Sequence, residues 1–419
     1  MRPTPPEPRA TSERHTILRA ISDLPWDQVT VVLTLALFPA TLLAQQAVPA
    51  NPIGPEATLA NSIWLLVFAS GIISMLTRHP RMRAIQSLAP YVLFMFMAVL
   101  SLTWTDDLRE GLGLAVRLIT PALVYLAAWS TAGKARLQQL MPRLAMWWIP
   151  TAAVAYLLFG FAELVPSFEF PERLVALSLV ALFPIATSAK MPWQTAVLLG
   201  AVALATAVGS GSRMASLALA VMVLISPAVA VSLPWRALAA LGAVALFTLL
   251  LAIPAYQERW FTSDEPGSLT DIIRLEGNLD TSGRREVWGA LAEECRASWL
   301  TGRGMGSANT LSVAASSGFP QPHNEYLRLY CDHGVPVTMV FMTFFVAVGW
   351  RAVRVGSARP AGKASAMAAL QLVVGLALLS VTDNPLTATL AFMAPAAVIF
   401  AWSDHLYWAT RSLLGDKTA

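Results

Sequence analysis

Along most of this chain apolar residues run unbroken for about 17 to 22 positions before a short polar or charged connection interrupts them. A helix rises ~1.5 Å per residue, so runs of that length cross a hydrocarbon layer ~30 Å thick. About twelve runs qualify: 29–48, 60–76, 88–103, 111–131, 144–162, 173–189, 192–208, 213–231, 236–254, 335–352, 365–381 and 386–404. The sixth and seventh are parted only by Lys190-Met191-Pro192. Because the runs are continuously apolar and do not alternate with period two, a β-barrel is excluded. The expected fold class is an all-α integral membrane protein with about twelve transmembrane helices.

Composition agrees: 56% of residues are hydrophobic and 13% charged, with a mean hydropathy of +0.58. The predicted organisation is an N-terminal tail (1–28), helices 1–9 (29–254), a long hydrophilic loop (255–334), helices 10–12 (335–404) and a C-terminal tail (405–419). The first residues are Pro- and Arg-rich without an apolar core, which suits a disordered tail and not a cleavable signal peptide.

Lys and Arg collect in every second connection: Arg78, Arg81 and Arg83; Lys134, Arg136 and Arg143; Lys190; Arg236; and Arg351, Arg354, Arg359 and Lys363. Short cytoplasmic loops retain positive charge, so these connections and both termini are expected in the cytoplasm of a bacterial inner membrane. The long loop then faces the periplasm. A pI near 9.3 is absorbed by topology and anionic membrane lipid and needs no nucleic-acid partner. Cys295 and Cys331 lie in that loop, where oxidation is possible; two separate thiols, each buried in a helix face, are the expected state, with a disulfide as the alternative.

Ionisable groups at membrane depth are costly unless they face a cavity or a partner, so polar clusters are where chemistry is sought. In "GSGSRMAS" (209–216) the small residues suit a helix N-terminus with free N–H groups, and Arg213 in its first turn asks for an anion to offset the helix dipole. The alternative is an arginine snorkelling at the interface. In "TSGRREVWGALAEECRASWL" (281–300), Trp288, Leu291, Ala292, Cys295 and Trp299 form one apolar stripe of an amphipathic helix capped by Thr281-Ser282-Gly283, with Arg284 and Arg285 at its start. "LTGRGMGSANT" (300–310) has no preceding strand, so it reads as a glycine-permitted turn whose backbone approaches a ligand closely, not as a nucleotide loop.

The densest cluster is "PQPHNEYLRLYCDHGVP" (320–336). Pro322 suits the first turn of a short helix that Gly334 and Pro336 end, placing His323, Tyr326, Leu327 and Tyr330 on one face and a Glu325–Arg328 pair on another. Beside a helix N-terminus the dipole favours neutral imidazole for His323, which is a base; the alternative is a structural histidine bonded to a carbonyl. His323, Glu325, Asp332 and His333 match no standard zinc spacing, so no metal is expected, and no nucleophile elbow supports Ser/His/Asp hydrolysis.

Taken together, Arg213 at the mouth of a middle helix, "GRREVW", a Gly-rich turn and "PHNEYLRLYCDHGVP" entering the next span resemble the O-antigen ligase and polymerase superfamily over about residues 200–400. Its hallmark is a His-Asn pair followed by a helix ending in Gly, with an Arg four positions before a Trp; here these are His323, Asn324, Gly334, Arg284 and Trp288. The acidic residue usual just before that Gly is displaced, since Asp332 stands one place earlier and His333 takes its position. The resemblance implies a GT-C-type, metal-independent, inverting glycosyltransferase without cofactor. It moves a glycan from undecaprenyl pyrophosphate to a hydroxyl of the lipid A-core acceptor in lipopolysaccharide biosynthesis. It further implies that Arg213 and Arg284 clamp the pyrophosphate and that His323 acts as general base. Arg285, Asn324, Tyr326, Trp288, Arg117 and Asp383 are the expected substrate-binding positions around them.

Ligase is favoured over polymerase by the compact chain with one dominant late loop, and over a protein O-oligosaccharyltransferase by the short C-terminal tail. A secondary transporter is the alternative from another class, although paired halves and midplane charges are not seen.

Overall fold

The structure, a computed structural model, describes residues 25–36, 59–78, 80–161, 172–189, 191–226, 284–316, 321–358 and 362–413. Helices follow one another as α1 (Trp26–Ala36), α2 (Leu59–Thr77), α3 (Met82–Leu100), α4 (Leu108–Thr131), α5 (Ala135–Ala155), α6 (Glu172–Thr187), α7 (Trp193–Gly209) and α8 (Arg213–Ile225). After these come α9 (Arg284–Arg296), α10 (Ser307–Ala315), α11 (Glu325–Ala358), α12 (Lys363–Leu379) and α13 (Ala394–Leu413). No strand occurs among the described residues. Helices overlap eleven of the predicted spans; the run 236–254 and the segment 255–283 lie outside the described residues. By length and composition, Met82–Trp104, Leu108–Thr131, Ala135–Gly160 and Glu325–Ala358 can cross a membrane, and shorter apolar helices stand beside them.

The bundle forms because each long helix has one stripe that packs on protein while its outer face stays apolar. On α11 the buried positions Val337, Phe341, Phe344, Phe345, Val348, Ala352 and Val355 recur at helical spacing. They meet α3 and α13 through a cluster of rings: Phe94 stands 4.9 Å from Phe341, Tyr91 5.1 Å from Phe344, and Phe345 6.1 Å from Phe400. Outward-facing Leu65, Leu66, Phe96, Met339 and Val346 remain exposed, as lipid-facing residues do.

The two ends of the bundle differ in chemistry. At one end buried Asp27 accepts Lys134 Nζ (3.2 Å) and Ser130 Oγ (3.1 Å) and lies 3.6 Å from Arg78. Nearby, buried Asp404 holds Arg351 through two 2.7 Å bonds and Tyr125 through a third, while Arg83 and Arg411 flank the Trp408 ring. From Ser130 back to Glu110, α4 climbs 20 residues, or about 30 Å, and there Glu110 accepts Asn309 Nδ2 at 2.7 Å. The motif-bearing residues therefore gather at the end opposite the basic connections.

Candidate functional site

Gly334 breaks α11 with φ 77°, a conformation that disfavours other residues, so the segment 325–333 stands as a short helix before the long apolar one. Such a break strands the last carbonyls of the short helix. The glycine-rich turn supplies the missing donors, Arg303 N–H to Cys331 O at 2.8 Å and Gly304 N–H to Asp332 O at 3.0 Å, while in the opposite sense Val335 N–H donates to Trp299 O at 2.8 Å. A Cβ at Gly302 would sit 2.4 Å from Asp332 O, and one at Gly304 2.5 Å from Thr105 Cα. The expectation that this turn opens its backbone to a ligand is thus corrected. Its glycines permit contact with protein backbone.

At the other end of the short helix the predicted start is also corrected. The helix begins at Glu325, not at Pro322, because Asn324 caps it: its Oδ1 accepts Leu327 N–H at 3.0 Å and its carbonyl accepts Arg328 N–H at 2.9 Å. His323 is left outside the helix, partly exposed, with φ 50°, and among the described residues it alone combines a side chain with positive φ. Such a conformation costs about 1–3 kcal/mol and persists only where neighbours over-determine it. Here Trp288 Nε1 donates to Pro322 O at 2.7 Å, Asn384 Nδ2 to Gln321 Oε1 at 3.0 Å, and Glu325 N–H to Ser380 O at 2.9 Å.

Helix α9 lies parallel to this short helix. Its buried stripe is Val287, Leu291 and Cys295, whereas Ala292 is exposed and Trp299 falls in the turn beyond the helix end at Arg296. The predicted stripe is therefore rotated by one position, and the expected cap 281–283 lies outside the described residues. The two cysteines are joined: Cys295 and Cys331 form a disulfide with Cα atoms 5.1 Å apart, which overturns the expectation of separate thiols. Each did lie in a buried helix face, but parallel packing brings the two faces together.

Of the two adjacent arginines, Arg284 turns inward and its Nη1 donates to Thr382 O at 3.0 Å, while Arg285 is exposed. Asp383 and Asn384 follow in the same loop. Tyr326 sends its hydroxyl to Ala377 O at 2.8 Å. Arg213 is the first residue of α8, as predicted, and partly buried; Gly211 before it has φ 71° and Ser212 makes no side-chain cap. Gln371 Nε2 donates to Met222 O at 2.7 Å and Gly375 packs on Met222, so α8 packs against α12 through Met222. The structure thus gathers Arg284, Trp288, His323, Asn324 and Asp383 around one loop, and Arg213 opens α8, which packs against the helix leading into that loop.

Beneath the His323 turn lies a buried charge network. Arg328, fully buried, pairs with Glu325 through its Nε at 2.6 Å and with Asp332 Oδ2 at 3.5 Å. Glu325 Oε2 also accepts Leu386 N–H at 3.1 Å, and Asp332 Oδ1 accepts Ala308 N–H at 2.8 Å. Arg117 and Glu110 act electrostatically on Arg328 from α4. Next to it, Ser101 Oγ donates to Ala98 O and accepts Met305 N–H, which leaves His333 Nδ1–H as donor to Ser101 at 3.1 Å. The Glu-x-x-Arg spacing signalled the Glu325–Arg328 pair, but the Arg328–Asp332 contact and the parts played by Ser101 and Glu110 were not anticipated. Among the described residues no group of three or more His, Cys, Asp or Glu is placed to hold a metal ion.

Residues 195–342 match the family model described as O-antigen ligase. Over that stretch, about a third of the chain, the match supports membership of the O-antigen ligase superfamily. The match takes in Arg213, Arg284, Trp288, His323, Asn324 and Gly334 of this O-antigen ligase domain, and it leaves Arg117 and Asp383 outside. No curated protein matches the chain.

Proposed function

We propose that this member of the O-antigen ligase superfamily is a ligase that transfers a glycan from undecaprenyl pyrophosphate to a sugar hydroxyl of lipid A-core oligosaccharide, at the periplasmic face of the bacterial inner membrane. The observation that carries the reading is the convergence of Arg284 and Trp288, on one helix, with the strained His323–Asn324 turn at one end of the bundle. Arg78, Lys134, Arg83, Arg351 and Arg411 lie at the opposite end, and the tendency of basic loops to stay in the cytoplasm supports a periplasmic site and cytoplasmic termini.

In this reading the acceptor O–H gives its proton to the His323 imidazole as its oxygen attacks the anomeric carbon, and the bond from that carbon to the pyrophosphate oxygen breaks with inversion. Charge grows on the leaving pyrophosphate, where guanidinium groups stabilise it most; Arg284 and Arg213 take that part. Asn324 fixes the turn by capping the helix, and Trp288 fixes it from outside. Arg285, Tyr326, Arg117 and Asp383 flank the path of donor and acceptor. The superfamily resemblance also supports metal-independent chemistry on a GT-C-type bundle of about twelve spans.

The test is the lipid profile of a strain lacking this chain and complemented with native or His323→Ala protein. A ligase predicts uncapped core lipid with undecaprenyl-linked polymer accumulating in the deletion and in the variant. Normal capping by His323→Ala ends the catalytic assignment, accumulation of single repeat units assigns a polymerase, and loss of an ion-driven flux with normal capping assigns a transporter.

A further inference from the structure

We propose that the Cys295–Cys331 disulfide is the positioning tie of the transfer site, holding Arg284 in register with the His323 turn, so that full turnover requires the oxidised chain. The inference rests on the function proposed above. Its starting point is that the chain contains two cysteines and joins both in one bond at 1% and 0% exposure.

The packing explains why a covalent tie is needed there. Helix α9 does not belong to the main core. Its apolar contacts form a small satellite of Val287, Leu291, Cys295, Ala308 and Cys331, with Leu311, Leu327 and Tyr330 packed against it. Its other face, including Arg285, Glu286, Glu293 and Glu294, is exposed. So small an apolar cluster fixes a helix weakly, which is the situation in which cross-links substitute for core.

The tie also acts at the right place. Trp288 bonds Pro322, one residue before His323, and two helical turns along α9 Cys295 is bonded to Cys331. Tyr330 Oη adds a 3.4 Å contact to Cys295 O. The two helices are thus fixed at two levels, and rotation of α9 about its axis, which would swing Arg284 away from Thr382, is blocked. With the disulfide gone, no covalent tie would hold α9 to the segment that carries His323. Misplacing a transition-state contact by about 1 Å costs up to 10²-fold in rate.

Forming the bond oxidises two thiols, which lose two protons and two electrons; a protein disulfide of the thiol–disulfide exchange class accepts them and becomes a dithiol. Such bonds persist in oxidising compartments. The inferred partner is therefore an oxidising exchange protein on the side of the membrane where the site lies.

The experiment uses the full chain in detergent or liposomes with undecaprenyl-linked glycan and lipid A-core acceptor. Peptide mass spectrometry without reductant must recover the 295–331 cross-link from native protein; recovery of two free thiols overturns the proposal. Cys295→Ser/Cys331→Ser, with Cys295→Val/Cys331→Ala as the better-packed replacement, is then compared with native protein. Turnover per folded molecule is expected to fall by about 10- to 10²-fold, mainly in kcat. A purely structural bond would lower the folded fraction and leave kcat unchanged, which overturns the proposal. Because the tie acts through Arg284, adding Arg284→Ala to the cysteine-free chain should cost far less than adding it to native protein, and multiplicative losses would also overturn it. Absence of transfer by oxidised native chain removes the functional reading and this one together; native kcat in the folded cysteine-free chain removes only this one.

Discussion

Arg328→Met is the most direct probe of how the His323 turn is supported. The substitution keeps an apolar stem of similar length but removes the cation between Glu325 and Asp332, to which its Nε and Nη1 donate at 2.6 and 3.5 Å. Both carboxylates are fully buried. Breaking a buried pair in this way costs about 3–5 kcal/mol. The lower half of that range applies here, because Glu325 keeps the Leu386 N–H and Asp332 keeps the Ala308 N–H. At about 2 °C per kcal/mol, the melting midpoint of purified protein in micelles, followed by tryptophan fluorescence at one scan rate, should fall by about 6–8 °C. A triple variant, Glu325→Gln/Arg328→Met/Asp332→Asn, removes all three charges and is expected to melt above Arg328→Met, since neutralising a buried network costs less than leaving it half-paired. An Arg328→Met midpoint within about 2 °C of native, a shift worth only about 1 kcal/mol, or a triple variant that melts below the single one, would refute the buried-triad account.

Other changes follow from the same geometry. Gly304→Ala places a Cβ 2.5 Å from Thr105 Cα at φ 99°, and overpacking plus the left-handed penalty should destabilise by about 2–5 kcal/mol, whereas Gly289→Ala, with nothing within 4 Å, should stabilise the exposed helix by roughly 0.5–1 kcal/mol; thermal melts of the pair check both. Trp288→Phe keeps a ring but loses the donor to Pro322 O, so a loss of about 1 kcal/mol in stability and a larger proportional loss in glycan transfer are expected from parallel melting and transfer assays. Asn324→Ala should cost about 1 kcal/mol as a lost cap, with Asn324→Ser or Asn324→Asp restoring most of the melting midpoint. Opening the Cys295–Cys331 ring of 36-residue separation should lower stability by about 4 kcal/mol on the chain-entropy account, read as the midpoint difference between native and cysteine-free protein.

What the sequence disclosed depended on how local the cause was. Apolar runs are local, and among the described residues helices overlap eleven of the predicted runs; the α8 start at Arg213 and the break at Gly334 were equally readable. The start of the short helix was misread because Pro322 and Asn324 offer competing start signals, and a side-chain oxygen that satisfies an orphan N–H outweighs a ring that merely suits the first turn. On α9 two neighbouring stripes were both apolar enough to bury. The partner surface decided for Val287, and a sequence does not display its partner. The cysteine pairing and the bonds from Ser101 to Met305 and from Glu110 to Asn309 join residues far apart in the chain, so spacing carried no trace of them.

The site owes its form to a helix that is interrupted where it leaves the bundle. Were α11 continuous through Gly334, the residues before it would project along the axis of the span, away from α9 and from the loop after α12. The left-handed glycine redirects the segment 325–333, and that redirection exposes carbonyls which the Gly302–Gly304 turn then satisfies, so one backbone break requires the other glycines. The same segment is held from the turn after α3 by Ser101, from α10 by Ala308, and from the loop after α12 by Ser380 and Leu386. His323 therefore sits on a strained turn whose supports come from most of the bundle. Strain of that kind holds an imidazole in place without requiring substrate to order it, and placing a base before the acceptor arrives reduces the entropic cost of the encounter. The buried Glu325–Arg328–Asp332 network is accordingly read as the footing of the His323 turn, and the proposed base stands two residues before Glu325.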